Sequence, residues 1–131
     1  MIVDSSAIVA IFFKEPGYEA LTKKLAEAAE VGIGAPTLVE CGLVLSARLG
    51  QDARGLLARF LEETGMVVIP FADAHFGTAV GAWLKFGKGR HPAALNFGDC
   101  LAYAVAKQAA MPLLYLGEDF PQTDVSTARS P

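Results

Sequence analysis

The sequence predicts an α/β domain in three layers, with a mainly parallel sheet of four to five short strands covered by helices on both faces. Apolar runs of strand length alternate with longer segments of helical period along the chain. The runs are continuously apolar, as in strands buried on both faces. The 131 residues, 53% of them hydrophobic and 19% charged, suffice for one domain with its own core. No linker, repeat or low-complexity stretch divides them, so residues 1–131 read as one unit.

Met1-Ile2-Val3 is the first strand and ends at Asp4. Ser5 to Phe13 reads as a short helix closed by the Lys14-Glu15-Pro16-Gly17 turn. From Tyr18 to Ala29, Leu21, Leu25, Ala28 and Ala29 recur at helical spacing, with Lys23, Lys24, Glu27 and Glu30 on the other side. Gly32 to Ala35 forms a second, weak strand, and Pro36 suits the first turn of the helix that follows. That helix runs from Thr37 to Leu49, with Leu38, Leu45 and Leu49 expected on its buried side, and stops at Gly50.

Asp52 can cap a fourth helix reaching Thr64, with Leu56, Leu57, Phe60 and Leu61 as its apolar residues. Gly65 and Pro70 bound the β-branched strand Met66 to Ile69. Asp73 to Phe86 is helical by the spacing of Phe76, Val80, Trp83 and Leu84, which reads as core packing. After the polar loop Gly87 to Pro92 comes a helix, Phe97 to Ala109, that is apolar on most sides and therefore buried. Pro112 introduces the last strand, Leu113 to Leu116, before a polar tail. Cys41 and Cys100 belong to no Cys-x-x-Cys pair and read as free buried thiols.

The net charge of −3 excludes a uniformly basic nucleic-acid binder, so a polyanion would have to meet a local basic patch. With no signal-peptide pattern and no apolar run near the roughly 18–20 residues needed to span a bilayer, a soluble, cytoplasmic protein without membrane contact is expected.

In open parallel sheets, ligands bind beyond the carboxyl ends of the strands. Three acids interrupt apolar contexts there. Asp4 closes the first strand, Glu40 lies in the first turn of the third helix, and Asp99 lies in the first turn of the most buried one. The topology lets them converge at one sheet edge. Carboxylates gathered out of water repel one another and are relieved by a divalent cation, and an all-oxygen set favours Mg²⁺ or Mn²⁺. Each acid also has a purely structural account: Asp4 as a helix cap, Glu40 and Asp99 as complements to helix N-termini.

Four segments carry a family resemblance: Met1-Ile2-Val3-Asp4-Ser5-Ser6-Ala7-Ile8-Val9-Ala10, Thr37-Leu38-Val39-Glu40, Leu95-Asn96-Phe97-Gly98-Asp99-Cys100 and Gly117-Glu118-Asp119-Phe120. In this order and spacing the chain resembles a PIN domain, and more narrowly the VapC toxins of VapBC toxin–antitoxin systems, over essentially its whole length. The resemblance implies a Mg²⁺-dependent endoribonuclease, with Mn²⁺ able to substitute, inhibited by a cognate VapB-type antitoxin. It implies that Asp4, Glu40 and Asp99 hold the metal and activate water. Ser6 and Asn96 then match supporting positions that orient a carboxylate or water. The fourth acid is Asp119 or Glu118, because Leu116-Gly117 occupies the nearest equivalents of the usual position. A homodimer is implied too, with the antitoxin in an apolar groove of the early helices, for which Ile8, Val9, Ile11, Phe12, Phe13, Leu45 and Leu49 are candidates.

Lys85, Lys88, Arg90 and His91 cluster beside Gly87, Gly89 and Pro92, a basic loop that could meet RNA phosphates or serve only as a solvated connector. Trp83, Phe86 and Phe76 could stack bases, against core packing as the plainer account. A phospho-aspartyl phosphatase needs a second Asp where Ser6 stands, and a receiver domain needs an Asp where Val67-Val68-Ile69 runs into Pro70. The remaining alternative is a catalytically inactive PIN-like module acting by partner or RNA binding.

Overall fold

The computed structural model describes residues 1–128; the reading of residues 1–131 as one unit extends over three that lie outside the described residues. The elements run β1 (Ile2–Val3), α1 (Ser5–Phe13), α2 (Tyr18–Glu27), β2 (Gly32–Gly34), α3 (Ala35–Leu49), α4 (Arg54–Thr64), β3 (Val67–Ile69), α5 (Asp73–Phe86), α6 (Phe97–Ala109) and β4 (Leu113–Leu114). A 3₁₀ turn covers Phe120–Gln122. Four strands form one parallel sheet in the order β3-β2-β1-β4. Ile2 pairs with Gly32 on one side and Leu113 on the other, so β1 is central.

Alternation along the strands sends successive side chains to opposite faces. Ile2 and Leu113 join a core with α5 and α6, whereas Val3, Ile33 and Leu114 join a core with α1 to α4. This is the expected three-layer arrangement. Gly34 permits the close approach of α6, since a Cβ there would stand 2.8 Å from Val105 Cγ2. No helix among the described residues is long and apolar enough to cross a membrane.

Several expectations need correction. Leu49 and Leu56 are exposed, although Leu45 and Leu57 are buried as expected. β3 is an edge strand with Val67 and Val68 exposed, because nothing pairs beyond it in the sheet. The tail buries Phe120 and Val125 against α6, and Leu113 bridges Thr127. Both cysteines are free and buried.

The largest correction concerns α5. Its buried side consists of Ala79, Ala82 and Phe86, while Phe76, Val80, Trp83 and Leu84 face outward, Phe76 being 69% exposed. Small residues let α5 lie close against α6, whose facing positions include Cys100, Leu101 and Gln108, the last donating to Thr78 Oγ1 at 2.6 Å. The large apolar stripe is left over and continues with Val39 and Leu43 of α3 and Phe97 of α6, all exposed. On the other side of the domain, the early apolar residues mostly pack internally. Ile8 and Leu45 are buried, Phe12 meets Phe60 at 5.2 Å, and the Arg48 guanidinium covers Phe13 at 3.7 Å.

Overpacking the α5–α6 contact with Ala82→Leu is expected to lower unfolding free energy by about 1–3 kcal/mol. Phe76→Ser is expected to change it by less than about 0.5 kcal/mol. Urea denaturation of the two variants checks the assignment of inner and outer faces.

Candidate functional site

The site lies where β1 and β2 end and α1, α3 and α6 begin. Asp4 leaves β1 in extended conformation and caps α1, its Oδ2 accepting from Ser6 N at 3.1 Å and from the Ser6 hydroxyl at 2.5 Å. Ser6 is fixed in turn, because Leu116 N donates to its Oγ at 2.9 Å. Asp4 is only 3% exposed, and its other oxygen, Oδ1, is buried without a hydrogen-bond partner. A buried polar atom left unpaired costs about 1–3 kcal/mol, more if charged.

The opening turn of α6 repeats the device. Asn96 Oδ1 accepts from Asp99 N at 2.9 Å, and Asp99 Oδ2 accepts from Asn96 N at 3.0 Å, a reciprocal capping box. Asp99 Oδ1 makes no hydrogen bond among the described residues. Each aspartate thus commits one oxygen to holding a helix and keeps the other free. The cap account of both aspartates is realised on one oxygen of each, and the other oxygen remains available to a ligand.

Glu40 reaches the same place from α3. A Cβ on Gly98 would fall 2.5 Å from Glu40 Oε2 and 3.1 Å from Oε1, so the carboxylate rests against the first turn of α6, where the helix end favours negative charge. Gly98 and Thr37 are site residues that the sequence reading did not single out. A glycine directly before the third acid was the available signal for the first; Thr37 gave none beyond its place one turn ahead of Glu40.

Burial pushes the Asp4 carboxyl up to about 6, against the two Ser6 hydrogen bonds that pull it down, with the charges of Asp99 and Glu40 adding to the rise. Burial also raises Asp99; its Asn96 hydrogen bond opposes this, while Asp119 and Glu40 add to it. Asp119 therefore stands within electrostatic reach of Asp99, whereas Glu118 exerts no such effect and its carbonyl accepts from Gln122 Nε2. Cys41, next to Glu40, is pushed up to about 12 by burial first and then by Asp4 and Glu40.

Four carboxylates share one electrostatic neighbourhood, but among the described residues no three His, Cys, Asp or Glu side chains are already gathered into a metal-holding group. Asp4, Glu40 and Asp99 converge less tightly than the sequence suggested. The loose, all-oxygen set still fits a hydrated divalent cation, since Mg²⁺ keeps several waters and takes only one or two carboxylates directly. The orphaned Asp4 Oδ1 and the Gly98 cradle around Glu40 are the features that fit it.

The basic loop is tied to this end of α6. Lys88 N donates to Leu95 O, and Leu95 N donates to Phe86 O, immediately before the Asn96 cap. Lys88 and Arg90 are exposed, with Arg90 stacked on Trp83 at 4.5 Å and Lys85 over Phe86 at 5.0 Å. His91 braces the loop, its Nδ1 accepting from Ala93 N and its ring edge-on to the buried Phe86 at 5.1 Å. Of the three aromatics considered for base stacking, Phe86 is core, while Phe76 and Trp83 lie outside it.

A family model for the PIN domain matches residues 1–126. The chain belongs to the PIN-domain family. Curated relatives of this PIN domain place it among VapC ribonucleases. Ribonuclease VapC36 of Mycobacterium tuberculosis is 47% identical over 95% of this chain and 91% of its own length. Ribonuclease VapC28 of the same organism is 41% identical over 98% and 97%, and a Ribonuclease VapC of Mycolicibacterium smegmatis is 35% identical over 96% and 98%. Among solved structures, M. tuberculosis VapC20, titled a sarcin-ricin loop cleaving toxin, superposes with a TM-score of 0.78 at 20% identity, covering 98% of both chains. A toxin–antitoxin complex from Klebsiella pneumoniae gives 0.68 at 16% identity, covering 94% of this chain and 92% of that one. At those identities the superpositions establish the fold.

The raised Asp4 carboxyl has a consequence for stability. Its value of about 6 lies above the ordinary 3.8, so the contribution of this one group to stability is fully present below pH 4 and is lost as pH rises through 6. A displacement of this size corresponds to about 3 kcal/mol. In divalent-free buffer Asp4→Asn, which preserves the cap, should gain on the parent protein by up to that amount between pH 4 and 8. Urea unfolding across that range checks it; a constant difference would contradict the assignment.

Proposed function

We propose that this PIN domain is the toxin of a toxin–antitoxin pair, an endoribonuclease dependent on Mg²⁺, with Mn²⁺ as a substitute. The observation that carries the reading is the pairing of free aspartate oxygens at the sheet edge, Asp4 Oδ1 and Asp99 Oδ1, with Glu40 held beside them. The names of the VapC ribonuclease relatives supply the substrate class.

Asp4 and Asp99 would hold the cation, and Glu40 and Asp119 would complete the acidic surround. A divalent ion bound there supplies Lewis acidity toward a phosphoryl oxygen and lowers the pKa of water. Glu40, less buried than Asp4, would orient the attacking water and take its proton. The water oxygen would form a new bond to phosphorus as the opposite P–O ester bond breaks, and the leaving oxygen would take up a proton from solvent, the proton lost by the attacking water remaining on Glu40. Ser6 and Asn96 act by fixing the aspartates, not by touching RNA. Lys88 and Arg90, with Lys85 behind them, would meet backbone phosphates beside the α6 terminus, on a loop whose conformation His91 maintains.

The two partner surfaces are neighbouring grooves that meet at Val39 and Leu43 of α3. A second copy is assigned to the outward stripe of α3, α5 and α6, where Phe76, Leu43 and Phe97 leave a groove of about 770 Å³ beside Glu40. A monomeric mass in sedimentation at micromolar concentration would overturn that assignment. The antitoxin is assigned to the groove between α3 and α4, lined by Leu38, Leu57 and Leu61. A toxin–antitoxin complex among the fold neighbours supports such a partner.

The purified chain should cleave RNA with Mg²⁺ and lose that activity in EDTA. Asp4→Asn and Asp99→Asn should each reduce cleavage by about 100-fold or more while keeping the helix caps. Undiminished cleavage in either variant would refute the assigned roles, and absence of divalent-dependent cleavage by the parent protein would leave the inactive partner-binding module. Lys88→Glu with Arg90→Glu should weaken RNA binding and flatten its log–log salt dependence by about 1.4 or more; an unchanged slope would remove the loop from the interface.

A further inference from the structure

Two buried side-chain polar atoms among the described residues have no hydrogen-bond partner, Asp4 Oδ1 and Thr37 Oγ1. Thr37 is 2% exposed. Other helical threonines satisfy their hydroxyls by donating to the carbonyl one turn back: Thr22 to Tyr18 O at 2.8 Å, Thr64 to Phe60 O at 2.7 Å and Thr78 to Ala74 O at 3.2 Å. Thr37 sits in the first turn of α3, where the residue one turn back is Ile33 of β2, and no such bond forms.

The fold puts these two orphans at neighbouring strand ends. β1 and β2 are parallel with Ile2 opposite Gly32, which sets position 4 level with position 34. Thr37 Oγ1 lies 3.8 Å from the point a Cβ of Gly34 would occupy. Thr37 lines the same groove as Glu40 and Gly98, and Cys41, one turn further along the same buried face of α3, feels the charge of Asp4. A hydroxyl can donate and accept, a carboxylate oxygen can only accept, and the two are not bonded to each other. A water held between them would satisfy both, as buried waters do between otherwise unsatisfied polar groups.

We propose that Thr37 is a positioning residue of the reaction, its hydroxyl and Asp4 Oδ1 holding between them one water of the site. Thr37 thereby orients the hydration of the bound cation without contributing charge. The inference rests on the metal-dependent reading above and adds to it a neutral group.

The test compares the parent chain with Thr37→Val, Thr37→Ala and Thr37→Ser. Mn²⁺ affinity is read by electron paramagnetic resonance of the free ion, RNA cleavage by kcat and KM, and folding by urea denaturation in EDTA. Thr37→Val should unfold in EDTA at or above the parent midpoint, because a methyl replaces an unpaired hydroxyl. Its Mn²⁺ affinity should fall about tenfold, with a comparable loss in kcat and an unchanged KM for RNA. Thr37→Ala should show the same Mn²⁺ defect if the valine packs badly, and Thr37→Ser should restore affinity and kcat. Parent-like Mn²⁺ affinity in both hydroxyl-free variants overturns the proposal alone, as does a serine variant no better than alanine. A parent protein that takes up no Mn²⁺ overturns the metal-dependent reading and this inference with it.

Discussion

A carboxylate that is only 3% exposed must be satisfied from within the protein, and the two hydrogen bonds to Asp4 both come from Ser6. Around that contact the fold is arranged. Ser6 is held by the backbone just beyond β4, Asp4 N donates to Leu114 O, and α1 begins where the cap places it. Flanked by β2 and β4, β1 cannot shift its register without moving the acid. A short central strand buried on both faces is thus a rigid mount for a group whose charge the interior resists.

The opposite wall is built by different means. α6 carries Asp99 on a reciprocal cap and brings Gly98 against the Glu40 carboxylate, so the starts of α3 and α6 meet directly beside the end of the sheet. The alanines on the buried side of α5 allow it to lie close to α6, and Gly34 does the same between α6 and the sheet. Small residues fix the layer spacing, and that spacing fixes how far the acids stand from one another. They remain separate enough to suit an ion that brings its own waters.

Much of this was legible in the residue order. Each strand announced itself as an apolar run, and Asp4, Glu40 and Asp99 were visible because each broke an apolar context at the start of a helix. The capping function of Asp4 and its function in the site competed as readings because a single letter does not separate two oxygens. The orientation of α5 was not legible. Periodicity identifies an apolar stripe, but not that Ala79 and Ala82 make the inner contact while Phe76 and Trp83 stay outside. That choice belongs to packing against α6. Glu40 meeting Gly98 and the unpaired hydroxyl of Thr37 were illegible for the same reason, being contacts between segments far apart in sequence.

The central position of β1 also governs when the site comes into being during synthesis. Asp4 is made well before the strand beside it, β4, which begins at Leu113, and before Leu116, whose amide steadies Ser6. Pairing across so long a stretch of chain waits until both ends exist. A nascent chain that already contains Asp4, Glu40 and Asp99 therefore still lacks the frame that sets the first of them. Emergence of β4 and Leu116 is the step that completes the frame of this carboxylate edge.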